Sequence, residues 1–155
     1  MNIIKADISH KDLILEIADK FSDFANSLDD DYDGSLSTFS RDNSGPMLAE
    51  VLDRNLCAIF LAIDEGKAAA IVEIHKVPRI RKARYYGEIE LMFVDEEYRG
   101  SGIAKEIMNK ALEWGKEEDL ECLRLYSGHQ LNRAHAFYEK MGFVHAGRTY
   151  KYSYK

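Results

Sequence analysis

The order of apolar segments predicts an α/β domain with a single mixed β-sheet flanked by helices. Three observations carry this reading. Residues 56–63 and 68–77 are strand-like runs joined by Asp64-Glu65-Gly66-Lys67, a hairpin turn. The chain then alternates strand, helix, strand, helix and strand, the order of a sheet covered by helices. Its 155 residues contain no internal repeat, linker or low-complexity segment and are the size of one domain, 1–155, able to bury a full core.

The elements follow in order. Residues 2–6 read as a short strand. Ser9 and Asp12 form a capping-box variant that opens a helix through Phe24, with Leu13, Ile17 and Phe21 at helical intervals. An acidic cluster, Asp29, Asp30, Asp31 and Asp33, precedes Ser-rich sequence. It lacks the twelfth-position Glu of an EF-hand and reads as a solvated loop or as a rim attracting cationic substrate. Pro46 suits the first turn of a helix over 47–54. Pro78 is expected to end the second hairpin strand. The basic loop Arg79, Arg81, Lys82 and Arg84 has two readings, a solvated tip or a contact with phosphate or a partner. A strand over 85–94 leads to a helix over 102–117, where Ala104, Ile107, Met108, Ala111, Leu112 and Gly115 recur at helical spacing. A strand over 120–127, a turn at Gly128-His129-Gln130, a helix capped by Asn132 and stopped at Met141-Gly142, and a final strand over 143–154 complete the chain.

Composition narrows the function classes. The net charge of −6 argues against a general nucleic-acid binder and is compatible with a cationic substrate. No apolar run reaches membrane-spanning length and the N-terminus lacks a signal-peptide layout, so the expected location is the cytoplasm, without a membrane partner. Cys57 and Cys122 sit in apolar runs without metal-ligand spacing and read as buried free thiols. His10, His75, His129, His135 and His145 are scattered, with His135 on the exposed side of its helix, and no metal is expected.

The chemistry centres on the stretch from Val94 to Lys105. Gly100 and Gly102 allow a ligand to approach the main chain, and the first N–H groups of the following helix suit a phosphate. The nucleotide P-loop is not met, because Lys105 lacks the preceding glycine spacing and Glu106 follows it. The dinucleotide fingerprint fits Gly100 and Gly102 and then meets Lys105. The pattern [QR]-x-x-G-x-[GA] is met in full by Arg99, Gly102 and Ala104. This stretch resembles the pyrophosphate loop of the GNAT superfamily, the acyl-CoA-dependent N-acetyltransferases. A second segment, from Asn132 through Tyr138 to Gly142-Phe143, is similar to that family's N-x-x-A-x-x-[FL]-Y-x-x-x-G-F signature.

The resemblance covers residues 85–143 and implies a GNAT-like fold in which the central parallel strands, 85–94 and 120–127, are splayed to admit a thioester arm. It implies acetyl-CoA as co-substrate, held by Met92, Phe93 and Val94 and by Arg99, Gly100, Ser101, Gly102, Ile103, Ala104 and Lys105, with Asn132 bonding the pantetheine. Tyr138 would donate a proton to the leaving thiolate, since a phenol is protonated at neutral pH. Strand alternation places Glu88, Glu90, Met92 and Val94 on one face and Ile89, Leu91 and Phe93 on the other. Glu90 and Glu88 are thus candidate bases for the amine, with Glu90 preferred as nearer the thioester. The implied activity is acetyl transfer to a primary amine by direct attack in a ternary complex. The acceptor is left open by the sequence: the charge favours a small cationic amine, and an amino acid or a protein N-terminus or lysine are alternatives; a non-catalytic acyl-CoA sensor is a rival. A homodimer is compatible with all of these.

Overall fold

A computed structural model gives the fold, and it describes residues 1–28, 41–152 and 154. The chain divides into two compact units, Met1–Leu125 and Tyr126–Lys155. The first holds a five-stranded sheet in the order β1 (Asn2–Lys5), β2 (Cys57–Asp64), β3 (Lys67–Arg79), β4 (Arg84–Val94) and β5 (Leu123–Leu125). The first four strands pair antiparallel and β4 pairs parallel with β5, so the sheet is mixed.

Helices α1 (Lys11–Ser27) and α2 (Arg41–Asp53) serve one face. There Ile14, Leu15, Ile17 and Leu48 share a core with Ile59, Leu61, Ile71, Leu91 and Phe93. Alternate residues Ala58, Phe60, Val72, Ile74 and Ile89 are buried on the other face. On that side α3 (Ile103–Glu117) contributes Ile107, Met108, Ala111 and Trp114. Helix α3 stops as its neighbours dictate. Asp119 takes the left-handed conformation, φ +50°, and the Leu120 amide bonds back to the Gly115 carbonyl at 2.9 Å. Leu120 therefore belongs to the helix stop, and the strand expected over 120–127 shortens to Leu123–Leu125.

Several other expectations need correction. Asp7, not Ser9, is the first cap. Its carboxylate accepts from the Ser9 amide, and His10 reaches back to the Asp7 amide to complete a capping box over the turn Ile8–His10. Pro46 lies inside α2, not in its first turn. Pro78 does not end β3; it pairs opposite Tyr85. Pairing with β2 has stopped at His75, and the last bond on that side runs from the Lys76 amide to Leu56. By alternation the Pro78 nitrogen faces that vacated side, where a missing N–H costs no ladder bond. The basic hairpin tip is held by carboxylates: Arg79 and Lys82 pair with Glu121, and Arg84 with Asp119. Cys122 is exposed, whereas Cys57 is buried. The cluster Asp29, Asp30, Asp31 and Asp33 lies outside the described residues.

The second unit contains α4 (Asn132–Lys140). Leu131 occupies its cap position, and Asn132 is its first residue rather than its cap. Gly142, at φ +93°, closes the helix as expected. The final strand does not form: residues 143–152 are irregular. Their alternating tyrosines have the pattern of a strand, but a strand exists only where a ladder satisfies its backbone. His135 is not simply solvated, because its Nε2 lies 2.9 Å from the Gly128 carbonyl oxygen.

Candidate functional site

The site is built around the second half of β4 and the turn that follows it. Opposite β3, Ile74 pairs with Ile89 and Glu73 with Leu91, so Glu90 is an extra residue, a β-bulge. A bulge advances the pleat by one residue. Register then puts Ile89, Met92 and Val94 on the α3 face, across from Ile74, Val72 and Ala70. Glu88 falls on the α1 face with Leu91 and Phe93, across from His75, Glu73 and Ile71. The expected grouping of Glu88 and Glu90 with Met92 and Val94 is therefore corrected.

The parallel pairing with β5 covers only Gly87, Glu88 and Ile89. Beyond it, residues 90–94 keep β3 on one side and have no partner strand on the other among the described residues. All three residues of β5 are paired, so the parallel ladder stops where β5 itself ends, at Leu125. Alternation from the Asp95–Ala69 bond turns the main-chain groups of Met92 and Val94 to this open edge and those of Phe93 to β3.

The turn after β4 is pinned from three sides. The Asp95 amide donates to the Ala69 carbonyl at 3.0 Å, and the buried Asp95 carboxylate meets the Lys20 ammonium of α1 at 2.5 Å. Burial raises the Asp95 carboxyl, but Lys20 and the Glu97 amide outweigh it and hold the group below its ordinary value. Arg99 folds back over the rings of Phe24 and Phe93, at 5.3 and 5.9 Å, and its Nε donates to the Val94 carbonyl at 3.3 Å. The first residue of the loop motif thus braces the loop against the core.

Gly100 and Gly102 take φ of +85° and +91°, and a side chain built on either would meet nothing within 4 Å. Gly102 is the cap residue of α3. The Ser101 hydroxyl donates to the Tyr98 carbonyl at 2.6 Å, and the Ile103 amide donates to that hydroxyl at 3.4 Å. The amides of Gly100, Gly102 and Ala104 find no acceptor among the described residues. Unclaimed N–H groups at the positive end of a 15-residue helix, beside an open glycine cradle, fit a pyrophosphate. Lys105 is exposed next to them.

The two carboxylates differ. Glu90 is exposed, while Glu88 is half-buried. Burial raises the Glu88 carboxyl above its ordinary value; Arg124, with Nε at 3.7 Å, partly offsets this, and the charge of Glu90 adds to it. In the other unit, Tyr138 packs edge-on against Phe137 and Phe143, with ring centres at 5.5 and 5.9 Å, and Asn132 is exposed at the start of α4. Sequence reasoning took His75 for one of five scattered histidines and overlooked Glu73, which the register sets beside Glu88 on one face of the sheet. Their i, i+2 spacing on a strand was the available signal.

Comparison with known proteins agrees with this geometry. The model of the acetyltransferase (GNAT) family matches residues 21–143. An uncharacterized N-acetyltransferase of Archaeoglobus fulgidus is 37% identical over 99 residues, 64% of this chain and 59% of the relative. One from Methanocaldococcus jannaschii is 30% identical over 95 residues, 60% of this chain and 42% of the relative. An Arabidopsis thaliana N-alpha-acetyltransferase is 32% identical over 93 residues, 60% and 48% of the two chains. The chain thus spans about half the length of these curated relatives. Among solved structures, a probable acetyltransferase superposes with a TM-score of 0.80 at 19% identity, covering 100% of this chain and 97% of the other. A predicted acetyltransferase of Clostridium acetobutylicum, solved with acetyl-CoA, gives 0.76 at 21%, covering 98% and 95%. No helix among the described residues is long and apolar enough to cross a membrane.

Proposed function

Because the chain belongs to the acetyltransferase (GNAT) family, we propose that it transfers an acetyl group from acetyl-CoA to a primary amine by direct attack in a ternary complex. The observation that carries this is the glycine cradle at the start of α3, where three unclaimed amides lie just beyond the open edge of β4. The unclaimed amides of Gly100, Gly102 and Ala104, within the stretch from Gly100 to Lys105, hold the pyrophosphate. Main-chain groups of Met92 and Val94 pair with the pantetheine arm, and an N–H on this edge supports the oxyanion. Asn132 bonds the pantetheine.

The amine nitrogen attacks the thioester carbon, the C–S bond breaks, and the acetyl group leaves as an amide. A carboxylate takes a proton from the ammonium, directly or through water. The raised carboxyl of Glu88 suits this better than the exposed Glu90, which attracts the cation. Tyr138 donates its phenolic proton to the departing thiolate. The net charge of −6 and the carboxylates on β3 and β4 favour a cationic amine. A peptide N-terminus is the second reading, on the likeness to an N-alpha-acetyltransferase.

Release of free CoA across polyamines, aminoglycosides, amino acids and peptides with a free N-terminus tests the proposal. Turnover with at least one class is expected. Binding of acetyl-CoA without release would make the chain a sensor, and absence of binding would remove the cradle assignment. Tyr138→Phe is expected to cut turnover by about 10²- to 10⁴-fold while acetyl-CoA still binds. Unchanged turnover would return Tyr138 to a packing role.

A further inference from the structure

Cys57, Glu73 and His75 meet on the α1 face of the sheet, away from the glycine cradle. Register sets Cys57 directly across from His75, and the pleat brings Glu73 to the same face two residues earlier. Their donor atoms all lie within 4.8 Å of one another. The local geometry is unusual in one respect. Glu73 Oε1, at 2.6 Å, and Cys57 Sγ, at 3.9 Å, both approach the same ring nitrogen, His75 Nε2. A nucleophile relay would put the carboxylate on Nδ1 and leave Nε2 to the thiol. Here a single N–H cannot serve both neighbours, and three donors converge on one point.

We propose that Cys57 Sγ, Glu73 Oε1 and His75 Nε2 form a binding site for one thiophilic divalent cation of the Zn²⁺ class. The donor set is sulfur, nitrogen and oxygen, which suits zinc and not the oxygen-seeking Mg²⁺ or Ca²⁺. A thiolate and a carboxylate together neutralise a dication. Tetrahedral zinc bond lengths place neighbouring donors about 3.4–3.6 Å apart. The present separations of 2.6 and 3.9 Å bracket that range, so small side-chain rotations complete the site. Cys57 is 4% exposed and belongs to the α1-face core, so its thiolate is shielded. Glu73 and His75 side chains are 26% and 29% exposed and open the site to entry and to a solvent ligand. Bound there, the cation clasps β2 to β3 one strand away from Glu88.

The test uses the whole chain in a Cys122→Ser background, which removes the exposed competing thiol. The chelator-treated protein is titrated with Co²⁺, then with Zn²⁺. The expected result is a thiolate-to-cobalt charge-transfer band with tetrahedral ligand-field absorption, saturating at one equivalent and erased by Zn²⁺. Zn²⁺ should also raise the Tm. Cys57→Ser should lose the band, and His75→Gln should lose both the tetrahedral spectrum and the Zn²⁺-induced Tm shift. His75 is partly exposed, so that variant keeps its fold, checked by circular dichroism without metal. Absence of the band, or its persistence in Cys57→Ser, overturns the proposal and leaves a His75–Glu73 ion pair only.

Discussion

Below the bulge at Glu90, β4 has a strand on each side; above it, β3 is its one partner strand among the described residues. The lower half is closed by packing. A side chain added at Gly87 would come to 2.5 Å from Leu123 and about 3 Å from Ile74 and Leu120, so glycine lets these side chains pack onto the strand. The upper half is closed by nothing comparable. Its continuation carries two glycines whose missing side chains face open space and whose backbone is left-handed. The same residue type therefore does opposite jobs on the two sides of one bulge. One glycine lets protein pack against protein, and the others leave main chain free for a ligand.

The sharpest test crosses the bulge. If Glu88 accepts the amine proton, Glu88→Gln should lower turnover at neutral pH by about 10²- to 10⁴-fold. The Glu88 carboxyl titrates above the ordinary 4.5, so the acidic limb of the wild-type pH–rate profile should sit above that value and flatten in the variant. At high pH the amine deprotonates itself and the defect should shrink. Glu90→Gln should chiefly weaken apparent affinity for a cationic amine. A flattened limb in Glu90→Gln alone would exchange the two roles, and unaltered profiles in both would mean that the amine arrives neutral.

Gly102→Val addresses the upper side. A β-branched residue at φ +91° is strained, and its side chain fills the cradle. Calorimetry should show acetyl-CoA affinity falling by about tenfold or more, which is 1.4 kcal/mol or greater. Gly66→Val separates strain from occlusion, because Gly66 also has open space and φ +80° but sits in the β2–β3 turn. It should lose comparable stability and keep its affinity. Equal affinity losses in the two variants would remove the cradle from the binding site.

Gly87→Ala addresses the lower side. Three side chains must yield to one methyl group, an overpacking cost of about 1–3 kcal/mol. Urea unfolding should register that loss, with acetyl-CoA affinity retained. If affinity falls with stability, the two halves are coupled and the bulge does not divide them.

How much of this was legible in the sequence follows from what each feature depends on. Helices α1 and α3 and the β2–β3 hairpin were legible because their apolar periods and turn residues are local. The glycine cradle was legible because it depends on residues a few positions apart. The bulge was not, since nothing in the run from Glu88 to Val94 marks a break in strand alternation and only the register with β3 shows the extra residue. The same holds for Cys57, which meets Glu73 and His75 only through cross-strand pairing. Pro78 misled for a related reason, because its cost depends on which neighbour faces its nitrogen.

The smallest expected effect concerns the pin between the two regions. Lys20 and Asp95 fasten α1 to the start of the loop, with side chains 44% and 12% exposed. The exposed lysine end limits the pair to about 1 kcal/mol or less. Asp95 is held below its ordinary 3.8, so its contribution is present above that value and is lost as pH falls through the folded-state pKa. Lys20 is held above its ordinary 10.5, so its share is present below that pH and lost on further alkalinisation. Lys20→Met keeps the stem that covers the core and removes the charge. Unfolding curves across pH should show a small loss near neutrality that disappears in acid, once pH has fallen through the lowered Asp95 pKa and the wild type has lost the same interaction. A loss that persists unchanged in acid would assign the effect to packing of the lysine stem. A much larger loss, with weakened acetyl-CoA binding, would mean that the loop is held open by this one pair and not by Arg99 and the Ala69 bond as well.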